Sequence, residues 1–275
     1  MNFEYLSLEK EIVFNWFESL ITKSIEELEG EPLNNGKLDY YKQEFFKQHY
    51  THFVSIRTLT PGLRLRYKGS ENEITALVSV LVLIRASLEN YSMFYHIYRD
   101  SSDFRDTYFR FWSWFREGLM YRQQLSLNHY SEKLKDEKQE IDRILDELQQ
   151  HPSYQLLTKK QKERYEKKGA WCLSSKRKLL ERAGFSKPLS NNCYNFFSSY
   201  AHPTSSGHLQ TAQADFETSN WILNTMLKPL FICSGLYLHS YSLIFREIGK
   251  LLNEQDQAFV RTWCAFGSEL MKQPI

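Results

Sequence analysis

Apolar residues return every third or fourth position along most of this chain, the period of an α-helix with one face turned inward. The first thirty residues show it most clearly. Leu8, Ile12, Trp16 and Leu20 form one row, Val13, Phe17, Ile21, Ile25 and Leu28 the next, and Glu and Lys fill the remaining side. Gly30, Pro32 and Asn34-Asn35-Gly36 supply the stop. A second helix is predicted over residues 38–58, closed by Thr60-Pro61-Gly62. Residues 63–68 alternate apolar and basic side chains and read as a short extended segment. Ser70-Glu71-Asn72-Glu73 carries the spacing of a capping box, which predicts that a helix opens there and runs to about Arg99. That helix is apolar all round as far as Leu83, so it belongs at the centre of the fold.

The same pattern continues. An aromatic-rich helix is expected from Ser102 or Asp103 to about Leu127, and a charged helix with a narrow apolar stripe (Leu134, Ile141, Ile144, Leu145, Leu148) over residues 132–150. A stripe that narrow suits a peripheral or protruding helix, or one that packs on a partner. Thr158-x-x-Gln161 is a second capping-box signature. A short helix over residues 190–201 should stop before Pro203. A long apolar helix over residues 216–252 should be kinked at Pro229, and Asn253 should cap a last helix running to about Met271. With only seven Pro and eleven Gly to interrupt 275 residues, the expected fold is all-α. It is a multi-helix bundle of long antiparallel helices forming a single domain over residues 1–275, with residues 130–188 as a charged appendage.

Composition narrows the function classes. The four cysteines stand far apart with no C-x-x-C pair, so neither zinc-type spacing nor a disulfide framework is present, and free buried thiols are expected. No Walker loop, G-x-G-x-x-G, H-E-x-x-H or diiron-type E-x-x-H pair occurs, and no cofactor or metal is expected. Residues 1–4 show no signal-peptide pattern. The greasiest run, residues 74–84, is shorter than the roughly 20 residues a membrane span needs, so a cytoplasmic protein without membrane contact is expected. Net charge is +2, but residues 158–188 hold eleven Lys or Arg against three acids. Within that segment Lys159, Lys160, Arg164, Lys176, Arg177 and Lys178 are candidate RNA contacts. The same pattern also suits a pair of solvated helices.

Two polar groups could carry chemistry. On a helix, Asn195, Ser199 and His202 fall on neighbouring turns of one face. A histidine at a helix C-terminus is drawn toward protonation by the dipole and could move a proton, or it could simply cap the last carbonyls. Arg85 and Glu89 lie four apart directly after the apolar run. A guanidinium there must meet a carboxylate, a carbonyl or a ligand, in a structural network or in a site.

The pairing of R-x-x-x-E (Arg85, Glu89) in an early apolar helix with a later Y-x-x-x-S-x-x-x-H-P (Tyr194, Ser198 or Ser199, His202, Pro203) resembles a set of bacterial all-helical proteins of unknown function. Some of these are distantly similar to the HEPN superfamily of helical bundles, which includes toxin and phage-defence ribonucleases. Such ribonucleases carry R-x(4–6)-H on one helix, the arginine binding phosphate and the histidine assisting attack by the ribose 2′-hydroxyl. This chain departs from that pattern. No Arg precedes His202 at that distance, Asn195 stands in the nearest comparable place, and Arg85 would have to act from another helix. Arg122 and His129 match the spacing formally, but a chain of this composition yields about one such match by chance. Three functions stand as expectations. One is a metal-independent ribonuclease or toxin-like defence effector using His202, Arg85, Ser199, Asn195 and Glu89. Another is a non-catalytic module that binds a protein partner or a second copy, and the third is a sensor of a small ligand or nucleotide.

Overall fold

A computed structural model describes residues 3–30, 32–67, 70–124, 131–169, 172, 174–201 and 216–269. A 3₁₀ turn (Phe3–Leu6) leads into α1 (Lys10–Glu29) and α2 (Lys37–Leu59). The hairpin β1 (Leu63–Tyr67) and β2 (Ser70–Ile74) comes next, then α3 (Leu77–Phe94), which passes into a π-helical turn (Tyr95–Arg99). Beyond it lie α4 (Phe104–Gln123), α5 (Ser131–Gln149), the single turn α6 (Pro152–Gln155) and α7 (Lys159–Lys168). The chain closes with α8 (Lys176–Arg182), α9 (Lys187–Ala201), α10 (Phe216–Ile244), α11 (Arg246–Leu251) and α12 (Glu254–Glu269). Among the described residues the fold is all-α apart from the one hairpin.

Two compact units divide the chain, residues 1–95 with 176–275 as the first and residues 96–175 as the second. The partition falls elsewhere than the 130–188 appendage read from charge. In the first unit α3 packs on α2, α9 and α10, and α10 packs in turn on α12. The core is aromatic. Phe17 is fully buried and lies 4.7 Å from Phe259, and Phe14 lies 5.0 Å from Phe231 between ring centres. A second cluster stacks Phe46 and Phe94 on Tyr241 at 4.4 and 4.8 Å. Ring contacts of this kind add about 0.5–1.5 kcal/mol each beyond the area they bury. Trp16 donates its indole N–H to Asp256 at 2.8 Å, tying α1 to α12.

In the second unit the stripe of α5 is covered. Ile141, Ile144 and Leu148 are buried with Leu119, Tyr154 and Tyr165, so of the expected placements α5 takes the peripheral one, lying along α4 rather than protruding. The reason is the aromatic face of α4, where Phe109, Trp112 and Phe115 pack against that cluster. Arg116, 3% exposed, donates to the carbonyls of Tyr165 and Glu166 at 3.0 and 3.1 Å. A cation on the carbonyls of the last turn of α7 is favoured by the helix dipole. The π-helical turn is held by Arg110, which reaches the His96 carbonyl at 2.7 Å and the carboxylates of Asp100 and Asp106 at 2.9 and 2.7 Å.

Several expected boundaries move. Ser70-x-x-Glu73 opens no helix. Those residues form β2, with Glu73 and Glu71 partnered in register with Arg64 and Arg66. The backbone there joins the antiparallel ladder with β1, which leaves no helix for the capping-box spacing to open. The long C-terminal helix continues through Pro229 and is interrupted at Phe245, whose backbone is extended. Pro188 sits in the first turn of α9 rather than ending the basic segment, a position where a missing N–H costs nothing. Thr158 does cap α7, accepting from the Gln161 N–H, and Asn253 caps α12 by accepting from the Asp256 N–H at 2.9 Å. Among the described residues, 77–99 and 217–244 are long and apolar enough to cross a membrane by length and composition. They exceed the run from which a span was judged too short. Of their most apolar windows, 56% and 67% is buried inside the protein, as in the core helices of a packed bundle.

Candidate functional site

The apolar run of α3 buries Leu81, Ile84 and Leu88, and Arg85 stands at the edge of that buried stripe. Its Nε donates to Glu89 Oε1 at 2.9 Å, one turn along the same helix. The guanidinium also lies 5.2 Å from the centre of the Tyr194 ring on α9. Arg177 of α8 reaches the same ring at 5.8 Å. Lys176, the first residue of α8, places its Nζ 3.8 Å from the second oxygen of Glu89. Three helices thus bring two guanidinium groups, an ammonium, one carboxylate and one phenol ring together.

Each position has a local cause. Leu189, Cys193, Phe197 and Tyr200 form the buried face of α9, and Tyr194 lies just beside it, half-buried. Leu179 and Leu180 bury α8, which leaves Arg177 and Lys178 toward solvent. The cluster is therefore anchored from below and open above. A cation over a ring contributes about 0.5–1 kcal/mol at an exposed site, so these contacts hold the side chains in place without immobilising them. Three cations against one carboxylate favour an anionic ligand, and the ring offers a face for a planar group.

The other expected residues scatter. Asn195 is exposed on α9. It comes directly after Tyr194, and at 3.6 residues per turn that places it about 100° round the helix from the Arg85 contact. Ser199 returns its hydroxyl to the Phe196 carbonyl at 2.7 Å. It stands about 140° from Tyr194 by the same geometry, so neither residue shares the Tyr194 row of α9 that meets Arg85. His202 and Pro203 lie outside the described residues, as does His129. Arg122 pairs with Glu137 at 2.9 Å. Of the six candidate RNA contacts, Lys159, Lys160 and Arg164 are exposed on α7 in the second unit, whereas Lys176, Arg177 and Lys178 belong to α8 in the first.

One polar network escaped the sequence reading. His49, fully buried in α2, has Nδ1 2.7 Å from Ser87 Oγ and Nε2 3.0 Å from Ser234 Oγ. It joins α2, α3 and α10, and Tyr237 covers its ring at 4.5 Å. Burial, with a smaller contribution from His52, lowers its pKa to about 3, so His49 is neutral. Ser234 already donates to the Leu230 carbonyl at 3.0 Å. A hydroxyl has one proton, so Ser234 accepts from His49 Nε2–H and Ser87 donates to Nδ1. The only signal was Phe46-x-x-His49-x-x-x-Phe53, which sets a histidine in an apolar stripe. The cysteines are free, and burial pushes the Cys193 thiol up to about 12, which leaves it unreactive.

Comparison with protein families, with curated proteins and with solved structures returned no match.

Proposed function

We propose that this protein binds RNA at the Arg85–Arg177–Tyr194 cluster and acts as a metal-independent, HEPN-like ribonuclease in bacterial defence. The observation that carries the reading is the convergence of two guanidinium groups on one partly exposed tyrosine ring. Arginine forks bind phosphate oxygens in pairs, and an aromatic face accepts a base of any identity. His202 follows Ala201, the last residue of α9, in the chain that carries Tyr194. In the proposed reaction His202 takes the proton of a ribose 2′-hydroxyl. The 2′-oxygen then attacks the adjacent phosphorus, the P–O5′ bond breaks, the departing 5′-oxygen takes a proton from solvent water, and a 2′,3′-cyclic phosphate remains. Arg85 and Arg177 would offset the charge gathering on the phosphoryl oxygens. Glu89 acts as a positioning residue that orients Arg85.

The test is cleavage of total RNA and tRNA in excess chelator by wild type, His202→Ala and the double variant Arg177→Ala/Tyr194→Ala. Wild type should cut, His202→Ala should bind without cutting, and the double variant should bind more weakly with a shallower salt dependence. Equal cleavage by wild type and His202→Ala, or no cleavage by wild type, would overturn the ribonuclease reading. Unchanged RNA affinity in the double variant would overturn the binding site.

A further inference from the structure

A cavity of about 450 Å³ opens in the first unit, where the N-terminal end of α1 meets α10 and α12. Its floor is apolar and buried, made by Val13, Leu227, Phe231 and Trp263. Two ammonium groups, those of Lys10 and Lys228, line it as well. Among the described residues, no acid holds either of them. Lys10 donates to the Asn224 amide oxygen at 3.2 Å, and Lys228 lies 6.0 Å from the centre of the Phe266 ring.

A second observation is independent of the cavity's shape. Trp263 is 3% exposed, and its indole N–H is buried without a hydrogen-bond partner among the described residues. Buried donors are almost always satisfied in folded proteins, and an orphan calls for an explanation such as a bound acceptor. The residue that carries this donor is also a wall of the cavity.

We infer that this cavity binds a small amphiphile with a single anionic head, its tail on the Val13–Leu227–Phe231 floor and its carboxylate accepting from Lys10, Lys228 and the Trp263 indole N–H. The volume lies within the range of pockets that enclose small ligands, which are commonly apolar with a few polar groups fixing orientation. The rest of the rim sets the charge of the head. Glu9 and Glu11 also line the cavity, and Glu11 stands 3.9 Å from Arg57. A head with several negative charges meets repulsion from these acids, whereas one carboxylate is accommodated. The site lies apart from the proposed RNA-binding cluster in its residues and does not depend on that reading.

The experiment uses the full chain and three probes, decanoate and decyltrimethylammonium below their micelle concentrations and decanol below its solubility limit. Each is measured by calorimetric titration and thermal shift. Decanoate should bind saturably and raise the melting temperature by mass action, with affinity at least roughly tenfold above decanol. The exposed double variant Lys10→Glu/Lys228→Glu should lose that advantage and prefer the cationic probe. Trp263→Phe should weaken decanoate binding while retaining the ring's bulk. Decanoate binding no more tightly than decanol, or an unchanged affinity in the lysine double variant, would overturn the inference. Absence of saturable binding by all three probes would overturn it too. The lysine variant alters only exposed side chains, so the proposal stays testable if Trp263→Phe fails to fold.

Discussion

His49 has room for one protonation state, because its ring nitrogens face Ser87 and Ser234 in a closed chain of donors and acceptors. A second ring proton would have to be accommodated at Nδ1, where Ser87 donates, in a site without water to solvate the charge. The consequence for stability has a definite sign. The folded-state pKa of about 3 lies below the ordinary 6.5, so the unfolded chain binds the extra proton first. The stabilisation is complete above 6.5 and is lost as pH falls toward 3, at up to about 1.4 kcal/mol per pH unit from this group. Urea unfolding of wild type and His49→Phe across that range should show their difference in unfolding free energy shrinking as pH falls. Parallel pH profiles would mean that His49 does not titrate on unfolding. At the same scale, part of the candidate site was legible in the sequence. Arg85 and Glu89, four apart after an apolar run, had to find partners, and each found the other. Tyr194 beneath Arg177 was not legible as a contact, because it joins two helices whose relative placement depends on the core. Asn195 and Ser199 fitted a spacing, but neither shares the Tyr194 row of α9 that meets Arg85.

Single elements show which local signals prevail over others. Thr158-x-x-Gln161 and Ser70-x-x-Glu73 carry the same kind of signature, yet only the first starts a helix. The difference lies in the residues next along the chain and in those across from it. Lys159 to Lys168 is free of β-branched residues, whereas Ser70–Ile74 ends on Ile74, with Thr75 next, and has the backbone of Leu63–Tyr67 to pair with in register. A cap is worth about 1 kcal/mol, which a cross-strand ladder can exceed. At the other end of α7 the chain leaves through Gly169 in the left-handed region, at φ +62°. A Cβ built there would come within 2.8 Å of Met120 Sδ and 3.3 Å of the Glu117 backbone. Gly169→Ala should therefore destabilise the second unit by roughly 1–2 kcal/mol, through strain at positive φ and a crowded neighbour. A melting curve of an isolated fragment spanning residues 96–175 would measure it, and an unchanged midpoint would contradict the role given to this glycine. The charge on α5 was legible in the sequence but its placement was not, because a narrow stripe does not reveal that the aromatic face of α4 covers it.

At the scale of the whole molecule the chain makes two cores, and the first is assembled from both ends of the sequence. Chains with separable units depart from two-state unfolding. Scanning calorimetry should accordingly give a measured enthalpy above the van't Hoff value, with two overlapping transitions. A single transition with equal enthalpies would show that the units unfold as one. Helical periodicity made the all-α class legible, since it needs only neighbours a turn apart. The division of the chain was hidden, because the return of residues 176–275 to α3 depends on contacts across long sequence separations. That return also orders events in time. On the ribosome α1, α2 and α3 emerge early, and His49 can find Ser87 at once. Ser234 and the apolar face of α10 do not yet exist. At translation speeds of about 5–20 residues per second residues 96–175 alone occupy on the order of ten seconds, and α10 emerges only after them. Throughout that interval the apolar helix α3 waits without its final neighbour, so synthesis itself sets how long its apolar face stays uncovered by α10.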